Sequence, residues 1–193
     1  MPWKKNFDVD VALERARDAF WNNGYEATSM RDLLDAMGIQ KGSFYDTYGS
    51  KKAAYMATLE RYGDEAMAGM RARADGLSPR AALEMWIGEI LDSCAGPDGH
   101  RGCMVINCAL ELGHSDIDAQ RFVQRALETH EALYAERIAE AQAAGEIDAG
   151  LDPAATAKAL LAIVMGMRVY SRSGAPRGTL RTLADQARAL LGT

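Results

Sequence analysis

The chain has 193 residues, enough for one large or two small domains with a sizeable core. A hydrophobic fraction of 48% is ordinary for a globular chain, and only five prolines among Ala-, Leu-, Met-, Glu- and Arg-rich segments favour an all-α fold. A net charge of −5 leaves no basic coat over the whole chain, so any nucleic-acid contact has to come from a local face. The first helix is predicted from about Asp8 to Asn23, with Val9, Ala12, Leu13, Ala16, Ala19 and Phe20 inward and Gly24 ending it. No apolar stretch follows Met1-Pro2-Trp3-Lys4-Lys5, so no secretion signal is expected. Three cysteines, an odd number, then read as free thiols in a reducing cytoplasm.

Residues 28 to 52 are the most telling segment. Ser29 is an N-cap residue type, and Asp32 three positions on can close a variant capping box. Met30, Leu33, Leu34 and Met37 repeat at helical spacing, and Gly38 supplies a left-handed terminator. Ile39 is expected to plug the turn. A second short helix follows from about Lys41 to Thr47, with small, polar and aromatic residues on its open side. Two short helices joined by a turn of about three residues form a helix-turn-helix unit, whose second helix enters the DNA major groove.

The wording of this segment is also familiar. Gly38-Ile39-Gln40-Lys41-Gly42-Ser43-Phe44-Tyr45, followed by Tyr48-Gly49-Ser50-Lys51, resembles the DNA-binding segment of the TetR family of bacterial transcriptional regulators. The usual pattern there is G-[IV]-[ST]-x-[GA]-[ST]-[LF]-Y-x-[YH]-F-x-[SN]-K. Two departures stand out. Gln40 takes the place of the Ser or Thr that caps the recognition helix, so a weaker cap is expected. Thr47-Tyr48 replaces the commoner aromatic or His followed by Phe, at a position where a phosphate contact is usual.

The resemblance implies a dimeric repressor on a palindromic double-stranded operator, released by a small-molecule effector, and not an enzyme. Thr28 and Ser29, at the start of the first short helix, suit a phosphate. Gln40, Lys41, Ser43 and Asp46 stand where side chains reach base edges, and Gly42 lets the backbone approach closely. Tyr45 and Thr47 are expected on phosphates and Lys51 adds charge. Phe44 and Tyr48 read as core, and Asp46 either accepts from a cytosine amine or faces solvent. Residues 1–60 hold eight Lys and Arg against nine Asp and Glu, a net −1, so charge must be segregated by face. Lys4, Lys5, Arg31, Lys41, Lys51 and Lys52 are the cations placed to converge on DNA. Asp8, Asp10, Glu14 and Asp18 lie at the start and along the outer face of the first helix.

From Ser50 a long helix is predicted to about Ala74, leading from a head at 1–52 into an effector and dimerisation domain at 53–193. Ser78-Pro79 opens the next helix, with Leu83, Trp86, Ile87, Ile90, Leu91 and Cys94 on its core side. Residues 96–102 form a turn-rich loop. The segment from about Cys103 to Leu112 is apolar on nearly every face and should be central. A helix from about Asp116 to Ala144 carries Phe122, Val123, Ala126, Leu127, His130, Leu133, Tyr134 and Ile138. Asp152-Pro153 caps the eighth helix, to about Arg172, and a ninth ends near Leu191. The longest unbroken apolar run, Ala159 to Met167, is short of the ~20 residues of a membrane span and reads as a buried helix. The eighth helix has two apolar stripes, Leu160, Leu161, Val164, Met165 with Arg168, and Ala159, Ile163, Met167 with Tyr170. A helix apolar on two sides must bury both. One side suits the core and the other a two-fold partner, and in the resembled family the last two helices form that homodimer interface.

For the effector, Trp86, Cys103, Met104, Asn107, His130, Tyr134 and Met165 offer apolar walls with a few polar groups, as a small-molecule pocket requires. Cys108 and Glu111 are offered by the same helix as Cys103. Each has a packing alternative, and Asn107 can instead tie a neighbouring loop. Gly102-Cys103-Met104-Val105-Ile106-Asn107 resembles a G-C-x-x-x-N segment of one TetR branch, some of whose members sense electrophiles or oxidants. A helix N-terminus and a nearby Arg101 would lower the Cys103 thiol pKa. Cys103 and Cys108 are spaced to point to different faces. No metal site and no cofactor is expected. Two rival readings remain: an all-helical thiol enzyme using Cys103, and a scaffold that has lost DNA binding.

Overall fold

The computed structural model describes residues 7–192. Among these are nine α-helices and no strand: α1 Val9–Asn23, α2 Met30–Met37, α3 Lys41–Tyr48, α4 Lys51–Ala74, α5 Pro79–Ala95, α6 Met104–Leu112, α7 Ile117–Ala143, α8 Pro153–Arg172 and α9 Arg177–Ala189. A 3-10 turn, Gly99–Arg101, interrupts the loop after α5. The helix starts follow from their caps. Asp8, Ser29, Ser50, Ser78, Asp116 and Asp152 each accept a hydrogen bond from a first-turn N–H, satisfying donors the helix itself leaves unpaired. The capping box at α2 is complete, with Asp32 answering the Ser29 N–H. Gly38 ends α2 at φ 68° and ψ 33°, left-handed geometry that favours glycine. Gln40 stands before α3 with no side-chain cap bond, as its sequence position predicts.

The apolar side chains form two clusters. In the first, Ala12, Ala16 and Phe20 of α1 meet Leu33, Met37 and Phe44 of α2 and α3, and Ala54, Tyr55 and Leu59 of α4 close the group. The division expected at residue 52 therefore falls inside the first turn of α4, whose early turns belong to the head's core. The same cluster continues through Met104, Val105, Cys108 and Leu112 of α6 to Phe122 and Val123 of α7. The head is thus packed on α6 as well as carried by α4. The second cluster joins α5, α7, α8 and α9 around Leu83, Trp86, Leu133, Ile138, Leu160, Met167 and Leu180.

Two expectations about apolar faces need correcting. On α6, Met104 to Cys108 and Leu112 are buried, but Leu110 is 67% exposed, so the helix is enclosed on most sides and open on one. On α8, Met167 is fully buried, while Ala159 and Tyr170 are exposed and Ile163 half-buried. The outward stripe runs through Ile163, Gly166 and Tyr170 instead, at i, i+3 and i+7. Over its 20 residues α8 has the length and mean hydropathy, 1.2, to cross a membrane, although no unbroken apolar run in it does. Its inward face is packed against α7 and α9.

The loop between α5 and α6 is tightly held. Asn107 Nδ2 donates to the Arg101 carbonyl at 3.0 Å, and the buried Ser171 Oγ lies 2.7 Å from the carbonyls of both Cys94 and Gly99. A Cβ on Gly99 would stand 2.1 Å from the Cys94 carbonyl oxygen, so only glycine fits there.

Candidate nucleic-acid interface and internal cavity

At the head, Gln40, Lys41, Gly42, Tyr45 and Asp46 are exposed on one side of α3, and Ser43 is half-buried. Phe44 is fully buried, and the Tyr48 hydroxyl donates to the Val9 carbonyl at 3.2 Å, so both are core residues as expected. A Cβ at Gly42 would meet nothing within 4 Å, which marks that turn of α3 as open. The Gln40 amide has no cap to make and is free for an outside partner.

Of three expected phosphate ligands, two hydroxyls are bonded within the protein and one is buried. Thr28 is completely buried and its hydroxyl donates to the Gly24 carbonyl at 2.6 Å, where it closes the turn after α1. Thr47 turns its hydroxyl into the protein, where the oxygen is buried without a partner. Ser29 is exposed, but its hydroxyl donates to Asp32 at 2.6 Å. That bond holds the Asp32 carboxyl below its usual range, and the negative charge sits where a phosphate would otherwise approach. What α2 can still offer an anion is its first-turn N–H groups.

The cations divide by face. Lys41 is exposed, the Arg31 side chain is 90% exposed, and Lys51 lies 4.4 Å above the Tyr25 ring. Lys52 turns to the start of α7, pairing with Asp116 at 2.6 Å and Asp118 at 2.8 Å, and is not available to DNA. Lys4 and Lys5 lie outside the described residues. The acids of α1 are not simply solvated. Asp10 and Glu14 pair with Arg61 of α4, and Asp18 pairs with Arg101, so negative charge is drawn toward α4 and α6 and away from α3.

A cavity of about 320 Å³ lies among α4, α5, α6, α7 and α8. Trp86, Cys103, His130, Tyr134 and Met165 line it, five of the seven residues picked from sequence. Met104 does not, because it is buried in the head's cluster. Asn107 does not either, being committed to the Arg101 carbonyl. Glu111 is also elsewhere: its carboxylate accepts from the Tyr25 and Glu26 N–H groups at 2.8 and 3.4 Å and ties the head to α6.

By sequence alone α4 is a connector between the two parts of the chain, yet in the structure it also builds the cavity. Tyr62, Gly63, Ala66, Met70 and Arg73 form one wall of the cavity. Glu89 and Ser93 of α5 and Arg168 of α8 line it too, none of them expected there from sequence. A lone arginine in an apolar helical stripe was the available signal for the last. Burial raises the Tyr134 phenol to about 12, with the Arg168 charge pulling the other way. Burial also raises Tyr62, whose hydroxyl lies 3.7 Å from Cys103 Sγ. The Arg101 guanidinium, expected beside the Cys103 thiol, instead stacks 4.1 Å over the Trp21 ring and pairs with Asp18 at 3.0 Å. Cys108 sits on the other side of α6, in the head's cluster, and burial pushes its thiol up to about 11.

Comparison with known proteins gives consistent matches to both halves. Residues 12–55 match a family described as bacterial regulatory proteins, tetR family, and residues 79–186 match a tetracyclin repressor-like C-terminal domain. The chain is 31% identical over 182 residues to the HTH-type transcriptional repressor ComR of Escherichia coli K12, covering 93% of this chain and 87% of that protein. It is 32% identical over 146 residues to the HTH-type regulator YezE of Bacillus subtilis 168, covering 75% of each. Among solved structures, a cysteine mutant of the regulator CifR in complex with a 26 bp operator superposes with a TM-score of 0.85 at 27% identity, covering 96% of this chain and 97% of that one.

Proposed function

Since the chain belongs to the TetR family of bacterial regulatory proteins, we propose that it is a transcriptional repressor binding operator DNA through α3 and released by a small molecule in the cavity above the head. The observation that carries this reading is the pairing of an open recognition helix with a cavity whose walls include α4, the helix that also builds the head's core. CifR, its relative of known structure, binds a double-stranded operator through the same fold. Gln40, Lys41, Gly42, Ser43, Tyr45 and Asp46 supply the groove contacts and Lys51 a backbone charge. The family is not an enzyme class, and no residue here is assigned a catalytic role.

Release follows from how the head is held. Arg61 of α4 clamps Asp10 and Glu14 of α1 at 3.1 and 3.0 Å. Trp21 Nε1 donates to the Gly102 carbonyl at 3.3 Å, next to cavity-lining Cys103. Trp86 Nε1 donates to the Met70 carbonyl of α4 at 3.0 Å. A molecule that moves Trp86, Tyr62 or the start of α6 therefore moves the supports of α1. In a dimer, that changes the separation of two heads set for successive major grooves. The two partners joined through α8 and α9 present the outward stripe of Ile163, Gly166 and Tyr170 to each other. Ligand and DNA then weaken each other's binding by the same factor, with ~1–3 kcal/mol of coupling enough for a usable switch.

The test is a mobility shift with the DNA upstream of the protein's own gene. Lys41→Ala and Tyr45→Ala are expected to weaken the shift while thermal stability stays within the ~0.5 kcal/mol typical of surface changes. Two variants that shift that DNA as well as the parent does would show the recognition helix to be misassigned. A second reading, release through the Cys103 thiol, draws on its place in the cavity wall beside Tyr62. Under that reading Cys103→Ser stays on DNA when oxidant is added. Under the pocket reading Cys103→Ser remains inducible and a bulky His130→Trp does not.

A further inference from the structure

The charges around the cavity do not balance. Its lining includes two guanidinium groups, Arg73 and Arg168, and one carboxylate, Glu89. Glu89 is already taken, by Arg73 at 2.7 Å. Arg168 has no carboxylate partner among the described residues; its guanidinium meets only neutral groups, the Ser93 hydroxyl at 2.9 Å and the Cys94 thiol. A guanidinium has five N–H donors, so most of its capacity is unmet. Half-buried against an apolar wall, a cation in this state is stabilised by any anion that reaches it.

Its neighbours fit the same need. The Tyr134 ring is buried, and its hydroxyl finds no acceptor among the described residues although it borders the cavity. His130 cannot supply the missing negative charge. Its Nδ1 lies 2.8 Å from the Ala126 carbonyl, which only accepts, so that nitrogen carries the proton. Beyond these groups the wall is apolar, with Ile106, Leu127, Leu161 and Val164.

We propose that the cavity is selective for a small amphipathic monoanion, a carboxylate with an apolar tail, whose head pairs with Arg168 and accepts from the Tyr134 hydroxyl. This deepens the reading of the cavity as the effector site and rests on it. A bidentate guanidinium–carboxylate pair in a partly dry site is both stronger and more directional than a neutral contact. The volume of about 320 Å³ limits the tail to a short chain or a single ring.

Calorimetric titration of the full-length protein with octanoate, 1-octanol and octylamine at neutral pH tests it. These probes share a tail and differ in head charge. Octanoate is expected to bind at least about tenfold more tightly than 1-octanol, a difference of ~1.4 kcal/mol, with octylamine weakest. Arg168→Met should abolish the octanoate advantage while 1-octanol affinity stays within about twofold, and Arg168→Lys should keep part of the advantage. Equal binding of octanoate and 1-octanol, or an advantage that survives Arg168→Met, overturns the anion selectivity and leaves the cavity as a binding site. If none of the three probes binds the parent protein, the proposed selectivity falls, while the effector reading is decided separately by the inducibility of Cys103→Ser and His130→Trp.

Discussion

Thr28 and Thr47 look alike in sequence, each a hydroxyl beside a helix end, yet they occupy opposite situations. Thr28 Oγ1 donates to Gly24 O in a fully buried turn, whereas Thr47 Oγ1 is buried and unpartnered. Replacing each with valine keeps the branched shape and removes only the hydroxyl. Thr28→Val is expected to lower stability by ~1–3 kcal/mol, because the Gly24 carbonyl is left without its donor. Thr47→Val is expected to be neutral or to stabilise by up to ~1 kcal/mol, because a desolvated unpaired group disappears. Chemical denaturation of both variants checks this, and a Thr47→Val as damaging as Thr28→Val would contradict the assignment. The Thr28-Ser29 pair shows why the distinction was not legible beforehand. Either residue can cap α2 by type, and only the position of Gly24 O after α1 decides which one turns inward.

At the scale of elements, the first turn of α4 contains two lysines with different duties. Lys52 joins α4 to the first turn of α7, where its ammonium holds the Asp116 carboxyl below the usual range, with help from the Ala119 N–H. Asp116 and Asp118 in turn hold Lys52 above its usual value. A lowered carboxyl stabilises the fold above its unfolded value, about 3.9, and loses that contribution as pH falls through the folded one. A raised amine contributes below its unfolded value, about 10.4, and loses it as pH rises through the folded one. The thermal midpoint of Lys52→Met should thus fall below the parent's near neutrality, with the gap closing under about pH 3.9. Lys52 and Asp116 are half-buried and Asp118 is exposed, so solvent reaches the cluster and added salt should narrow the gap as well. On operator DNA, Lys41→Ala should reduce the slope of log affinity against log salt by about 0.9 per subunit, and Lys52→Met should leave it unchanged. Equal slope changes for the two would mean that Lys52 leaves its carboxylates for phosphate.

For the whole molecule, the proposed dimer rests on the outward side of α8. Ile163, Gly166 and Tyr170 share one stripe, Tyr170 is 49% exposed, and a Cβ at Gly166 would meet nothing within 4 Å. A glycine there lets a second helix approach closely. Tyr170→Glu places a charge in the apolar stripe without disturbing the fold of one subunit. It is expected to shift sedimentation at micromolar concentration from dimer to monomer and to weaken operator binding, since a single head covers only one half-site. A parent protein that sediments as a monomer and stays so on DNA would remove this basis for release.

The sequence by itself determined the helix starts, the helix-turn-helix and the order of the elements, because caps, glycine terminators and helical periodicity act within a few residues. Ser29 with Asp32, Gly38, Ser50 and Asp152-Pro153 were all readable in that way. Five cavity residues were readable too: Trp86, His130, Tyr134 and Met165 recur on the inner faces of their helices, and Cys103 stands at the start of α6. Only the tertiary structure decided which polar groups meet. Lys52 pairs with residues more than sixty positions away, Arg101 turns to Trp21 and Asp18, and Glu111 reaches the start of the turn after α1. It also decided that Met104 and Asn107 serve packing and a loop, while Tyr62 and Arg168 face the cavity. Periodicity fixes the side of a helix on which a residue lies. It does not fix what stands opposite, and for a charge or a hydroxyl the partner opposite is what sets the energy.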